Sequence, residues 1–138
     1  MSPEDLSPEH SLPQDVLPED YRQQYQTFER ALQRLKGETT RPHPDCTTLQ
    51  SDFLDVQQLF QLRISSLNLE VLDPAIAARL QSVHTEIHKQ LRLLGMDVAF
   101  LQAARQSITT QQRQAQMRDR LHIILQFCNG ILATVEPE

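Results

Sequence analysis

His84 and His88 stand four residues apart in a segment of helical periodicity, the spacing that points two imidazoles at one metal ion. A zinc-protease site also needs a glutamate directly after the first histidine, as general base. Thr85 takes that place, and Glu86, one position on, lies about 200° round the helix from His84. The inward Glu-x-x-His pairs of di-iron bundles are missing too. The residues three before His84, His88 and His122 are Gln81, Thr85 and Asp119, so only Asp119-Arg120-Leu121-His122 comes near the pattern. We expect no metal and no cofactor, with solvated or capping histidines; a metal-binding helical bundle using His84 and His88 is the alternative.

The other residue types that do chemistry are scattered. Cys46 and Cys128 each fall on the apolar stripe of a predicted helix and read as small buried hydrophobes rather than as a disulfide. Neither has a histidine and an acid arranged beside it as a thiol nucleophile requires, and no serine lies in a strained elbow motif. Gly37, Gly95 and Gly130 stand alone, which leaves no phosphate-cradling loop. Asp52 and Asp55, three apart, read as a solvated helix face rather than an acid–base pair. With no residue to carry catalysis, a non-enzymatic protein is expected.

The 138 residues amount to one domain and carry a net charge of −5 that is unevenly spread. Residues 1–20 hold Glu4, Asp5, Glu9, Asp15, Glu19 and Asp20 and no Lys or Arg. Residues 37–78 sum to −4 (two basic, six acidic), whereas residues 79–120 sum to +4 (seven basic, three acidic). The basic half has Phe100 as its one aromatic residue and no RNA- or DNA-binding signature, so nucleic acid is not an expected partner. No stretch approaches the roughly 18 uninterrupted apolar residues of a membrane span, and the first residues are acidic where a secretory signal would be basic. A cytoplasmic protein without membrane contact is expected.

Elements follow from proline and periodicity. The first twenty residues form an imperfect five-residue repeat with prolines at 3, 8, 13 and 18, of which residues 1–18 are the tail. This acidic, low-hydrophobicity stretch reads as a flexible, solubilising tail ahead of a helical domain over residues 19–136. Tyr21, Tyr25, Phe28, Leu32 and Leu35 mark a first helix started at Pro18 and ended by Gly37. Cys46, Leu49, Phe53, Val56, Phe60, Ile64 and Leu67 mark a second, opened by Pro44 or Asp45 and stopping near Leu69. Asp73-Pro74 caps a third, striped by Ile76, Leu80, Val83, Ile87, Leu91, Leu94, Val98 and Leu101 and running to about Gln106, near 50 Å long. After a break at Ser107-Ile108, the capping-box pattern Thr109-x-x-Gln112 precedes Met117, Leu121, Ile124, Cys128, Ile131 and Val135 on a fourth. Four helices, short connections and no strand-period segment predict an all-α antiparallel four-helix bundle with one long central helix.

The third helix departs from simple amphipathicity. Opposite its core stripe lie Leu93, Met96, Ala99, Phe100 and Ala103, so it is apolar nearly all round and needs cover on two sides. One reading buries the back under the first helix or a loop. The other leaves an exposed patch anchored by Met96 and Phe100 and rimmed by Lys89 and Arg92, as a partner or homodimer surface.

The string Thr85-Glu86-Ile87-His88-Lys89-Gln90-Leu91-Arg92-Leu93-Leu94, continued by Met96-Asp97-Val98-Ala99-Phe100-Leu101-Gln102-Ala103-Ala104-Arg105-Gln106, resembles the PatD family of cyanobacterial heterocyst frequency control proteins. Gln116-Met117-Arg118-Asp119-Arg120-Leu121 and the apolar run through Cys128 and Leu132 are similar to the family's C-terminal helix. The resemblance is best over residues 83–132, weaker over the first two helices and absent from the proline tail. Gln106-Ser107 stands where family members often have Gln-Pro. It implies a non-enzymatic regulator of cell division and heterocyst patterning that binds the tubulin-like protein FtsZ and modulates its assembly. The expected contact residues are Lys89, Arg92, Leu93, Met96, Phe100 and Arg105; a self-associating helical adaptor with another partner is a further alternative.

Overall fold

Glu19 and Asp20 place two carboxylates at the positive end of a helix dipole, and the Pro18 carbonyl accepts the Arg22 amide at 3.0 Å, so α1 (Glu19–Thr39) begins as the proline signal predicts. The computed structural model describes residues 17–134, placing most of the expected tail, and Val135, outside the described residues. Leu17, counted with the tail in the sequence, is buried in the core. Tyr21, Tyr25, Phe28, Leu32 and Leu35 are all buried. Gly37 does not end α1. The helix runs on to Thr39, whose carbonyl is held by Gln114 Nε2 (3.1 Å) and Arg118 (2.5 Å), partners that no local pattern reveals.

α2 (Cys46–Leu59) is capped by Asp45, which accepts from the Thr47 amide at 3.2 Å and the Thr48 hydroxyl at 2.8 Å. Those bonds, the Thr48 hydroxyl foremost, hold the Asp45 carboxyl below its usual range. Cys46, expected on the buried stripe, is exposed: it is the first helical residue, one turn before Leu49 reaches the core. The α-helix also ends earlier than expected, giving way to a π-helical turn over Phe60–Ile64 closed by Ser65 N to Phe60 O at 2.7 Å. Two successive four-residue steps, Val56 to Phe60 to Ile64, drift about 40° each on a regular helix. The wider turn rotates less per residue and returns Ile64 to the core, where both it and Phe60 are buried. Leu67 and Leu69 then pack against the core from irregular chain.

α3 (Pro74–Ala103) starts on an Asp73 cap that accepts from the Ala75 amide at 3.1 Å. Its predicted stripe from Leu80 to Leu101 is buried, with Ile76 half-buried. It stops at Ala103 rather than Gln106, because Ala104 turns extended (φ −69°, ψ 137°). α4 (Ser107–Thr134) then begins two residues before the predicted capping box, with Gln106 O accepting from Thr110 N at 3.0 Å. Met117, Leu121, Ile124, Cys128 and Ile131 are buried as the stripe predicts, joined by Leu125.

The helices run antiparallel in a ring, α1 beside α2 and α4, α3 beside α2 and α4. Side chains show the directions: Arg22 reaches the Leu132 carbonyl and Thr39 meets Gln114, while Arg79 reaches the Gly130 carbonyl and Asp97 meets Arg113. Gly95 lets α2 and α3 approach closely, since a Cβ there would stand 3.1 Å from the Phe53 ring. One core cluster draws on all four helices, and among the described residues no helix is long and apolar enough to cross a membrane.

Asp97 is the most deeply buried acid among the described residues, ahead of Glu38. It is 1% exposed and receives Arg120 Nε at 2.5 Å and Arg113 Nη1 at 3.3 Å, bonding α3 to α4. Replacing Asp97 with Asn keeps the shape and removes the charge, stranding two guanidiniums at the seam. Because their side chains retain 30% and 19% exposure, part of the loss is recovered from water. We expect Asp97→Asn to lower unfolding free energy by about 2 kcal/mol, below the 3–5 typical of a fully buried pair. Urea denaturation followed by circular dichroism checks this, and an unchanged midpoint would show that the pair contributes no net stability.

Candidate protein-interaction face

Leu93, Met96 and Phe100 recur at steps of three and four along α3, one stripe on the side away from the core, with Lys89 one turn earlier. Met96 is 54% and Phe100 51% exposed, and Leu93 is half-buried. The reading in which a helix or loop covers the back of α3 is therefore not what forms. α1 lies across the bundle, and the loops sit at its ends. Lys89 and Arg92 are exposed, and Lys89 makes a loose surface pair with Glu86 at 3.9 Å. Arg105 is not on this stripe: past extended Ala104 it lines a cavity of about 360 Å³ at the end of the bundle, between residues 42–46 and the α3–α4 turn.

Two further residues belong to the face. The Arg113 guanidinium lies 4.7 Å from the centre of the Phe100 ring while bonding to Asp97 and to Gln116 Oε1 (3.2 Å). It thus anchors one side of the Phe100 ring in a cation–π contact. Arg120 holds the second Asp97 oxygen. The signal for this network was present in the sequence. Asp97 lies three after Leu94 and four before Leu101, on the core face, where a charge needs partners, and Arg113 and Arg120 are seven apart on one side of α4.

His84 has a different setting from the solvated or capping role expected, whereas His88 is exposed as expected. His84 is half-buried: its Nε2 is hydrogen-bonded to the Tyr25 hydroxyl, and its ring meets Phe60 edge-on at 6.2 Å. Exposed His88 lies over the same Phe60 ring at 6.3 Å. Among the described residues, no group of three or more His, Cys, Asp and Glu side chains could hold a metal ion. Burial pushes the Cys128 thiol up to about 12, with the Glu29 carboxylate adding to it, which leaves it a hydrophobe at neutral pH. The Tyr25 hydroxyl is also pushed up by burial, so it stays protonated and shares its hydrogen bond with Nε2 of the neutral His84 ring.

Burial lowers His84 from 6.5 to about 4. Below 6.5 the unfolded chain takes up a proton that the folded protein refuses, so stability is complete above that value and falls as pH drops from 6.5 toward 4. Denaturation midpoints measured across this window should decline more steeply for the native chain than for His84→Gln; parallel curves would show that His84 does not contribute.

None of the known protein families, curated proteins or solved structures compared with the chain matches it.

Proposed function

We propose that this protein is a non-enzymatic regulator that works by binding another protein on the outer face of α3. The observation that carries the reading is the exposure of Met96 and Phe100 on a helix whose other side is core, flanked by Lys89, Arg92 and Arg113. A flexible thioether beside a half-exposed ring offers apolar anchors, and surrounding cations favour an acidic partner. Together with the resemblance over residues 83–132 to the PatD family, this supports FtsZ as the partner and modulation of its assembly, in cell division and heterocyst patterning, as the role.

The test is sedimentation and light scattering of FtsZ from the same organism, with the native chain and with Met96→Asp/Phe100→Asp. Both positions face water, so the variant should fold with unchanged helicity. Loss of two anchors should weaken FtsZ binding at least about tenfold, or 1.4 kcal/mol. Binding should also weaken as salt rises, because the Debye length falls from about 10 Å at 0.1 M to about 3 Å at 1 M. Unchanged FtsZ assembly at low salt with the native chain removes this reading. A native oligomer that the variant converts to a monomer reassigns the face to self-association.

A further inference from the structure

We infer that residues 1–16 of this same chain are a ligand for the outer face of α3 and α4, an acidic segment that occupies the surface assigned above to the partner. The inference takes that face from the proposed function but is tested without any partner. Two observations carry it: complementary charge, and the length of chain set against the point from which it departs.

Residues 1–16 contain Glu4, Asp5, Glu9 and Asp15, no Lys or Arg, and the apolar residues Leu6, Leu12 and Val16. The face offers the matching chemistry, with Lys89 and Arg92 exposed, Arg113 over Phe100, and the apolar pair Met96 and Phe100 half-exposed. Of the two remaining helices, α2 presents Asp52 and Asp55 and would repel the same segment, while α1 sets Arg22, Arg30, Arg34 and Lys36 against Glu19, Asp20, Glu29 and Glu38 and offers no net attraction. Charge therefore selects α3–α4 over α2.

Reach is sufficient. The segment departs from Leu17, fixed in the core two turns before Tyr25, and Tyr25 is bonded to His84 on α3. From the level of Leu17 to that of Met96 is about 30 Å along the bundle at 1.5 Å per residue. Passing round α4 adds about 15 Å sideways at helix spacings of 8–10 Å, for a total near 34 Å. About 11 extended residues cover that distance at roughly 3.1–3.3 Å each, which brings Leu6, with Glu4 and Asp5, to Met96 and Phe100. A tethered segment meets its site at an effective concentration on the order of millimolar, so even a contact of millimolar affinity is occupied about half the time.

The experiment is paramagnetic relaxation enhancement on the full chain. A nitroxide is placed at Ser7→Cys beside Leu6, with exposed Cys46 changed to Ser and Cys128 left in place because it is fully buried. At about 0.1 M salt, amide signals of residues 89–100 should lose about half their intensity or more, while those of Leu54 and Asp55 on α2 stay unaffected. The loss should reverse toward 1 M salt and in the triple variant Glu4→Gln/Asp5→Asn/Glu9→Gln. Absence of broadening at low salt, or equal broadening on α2, overturns the inference. Equal broadening in a mixture of spin-labelled chains with separate isotope-labelled chains also overturns it, in favour of a second copy as occupant. None of these outcomes bears on FtsZ binding, which is read separately.

Discussion

The seam between α3 and α4 is set by one carboxylate. Asp97 is removed from water and receives guanidinium groups from two positions of α4, so helix rotation and register are fixed by a single pair of charge-assisted bonds. Apolar packing alone tolerates small slides, because Leu, Ile and Met against one another lose little when displaced. A buried charge does not tolerate them, since any slide that breaks a bond leaves it unpaired at a cost of several kcal/mol. The same geometry positions Arg113 over Phe100, so the outer face of α3 inherits its arrangement from the ion pair beneath it.

α4 ties the other helices at both ends. Arg118 and Gln114 satisfy the carbonyl of Thr39 at the end of α1, and Gln114 also reaches the Arg41 carbonyl at 2.7 Å, which fastens the α1–α2 loop. At the opposite end the direction reverses, and Arg22 of α1 and Arg79 of α3 donate to the carbonyls of Leu132 and Gly130 near the C-terminus of α4. The carbonyls of Thr39 and Leu132 belong to final helical turns, which lack intrahelical partners. Cationic side chains from a neighbouring helix both satisfy them and complement the negative end of the dipole. Helix ends are thereby made part of the tertiary structure, and α1 continues two residues past the glycine that would otherwise stop it.

Periodicity in the sequence carried the class, the four helices and nearly every core position, because burial of one stripe is a local property of residue spacing. What it could not carry was decided by contacts between helices. Cys46 has the spacing of a core residue but precedes the point at which α2 meets the core. The π turn at Phe60 corrects a drift that appears only when the stripe is wound onto a real helix. The back of α3 was ambiguous because its apolar character is compatible with cover or with exposure, and which of these forms depends on where α1 lies. Lys89, Arg92, Leu93, Met96 and Phe100 did fall together on one side, since they share a helix. Arg105 did not, because the break at Ala104 takes it off the helical register, and Arg113 was missed because it arrives from another helix.

The face that results has less free charge than its residue count suggests. Asp97 already neutralises one of the two arginines it binds, and Lys89 shares its charge with Glu86, so Arg92 is the cation least committed within the face. Exposed ion pairs formed there would contribute about 0–1 kcal/mol each, and salt reduces them further. Met96 and Phe100 have about half their surface still to bury, and full burial of such side chains is worth about 1.5–3 kcal/mol each, so roughly 1 kcal/mol remains available at each. The apolar pair therefore supplies at least as much affinity as the charges, and supplies it at any ionic strength. Charge governs which partner approaches and how fast, whereas Met96 and Phe100 govern how long it stays. Because Arg113 anchors Phe100 before any partner arrives, that ring loses less side-chain freedom on binding than an unrestrained one would, which favours Phe100 over the more flexible Met96 as the principal anchor.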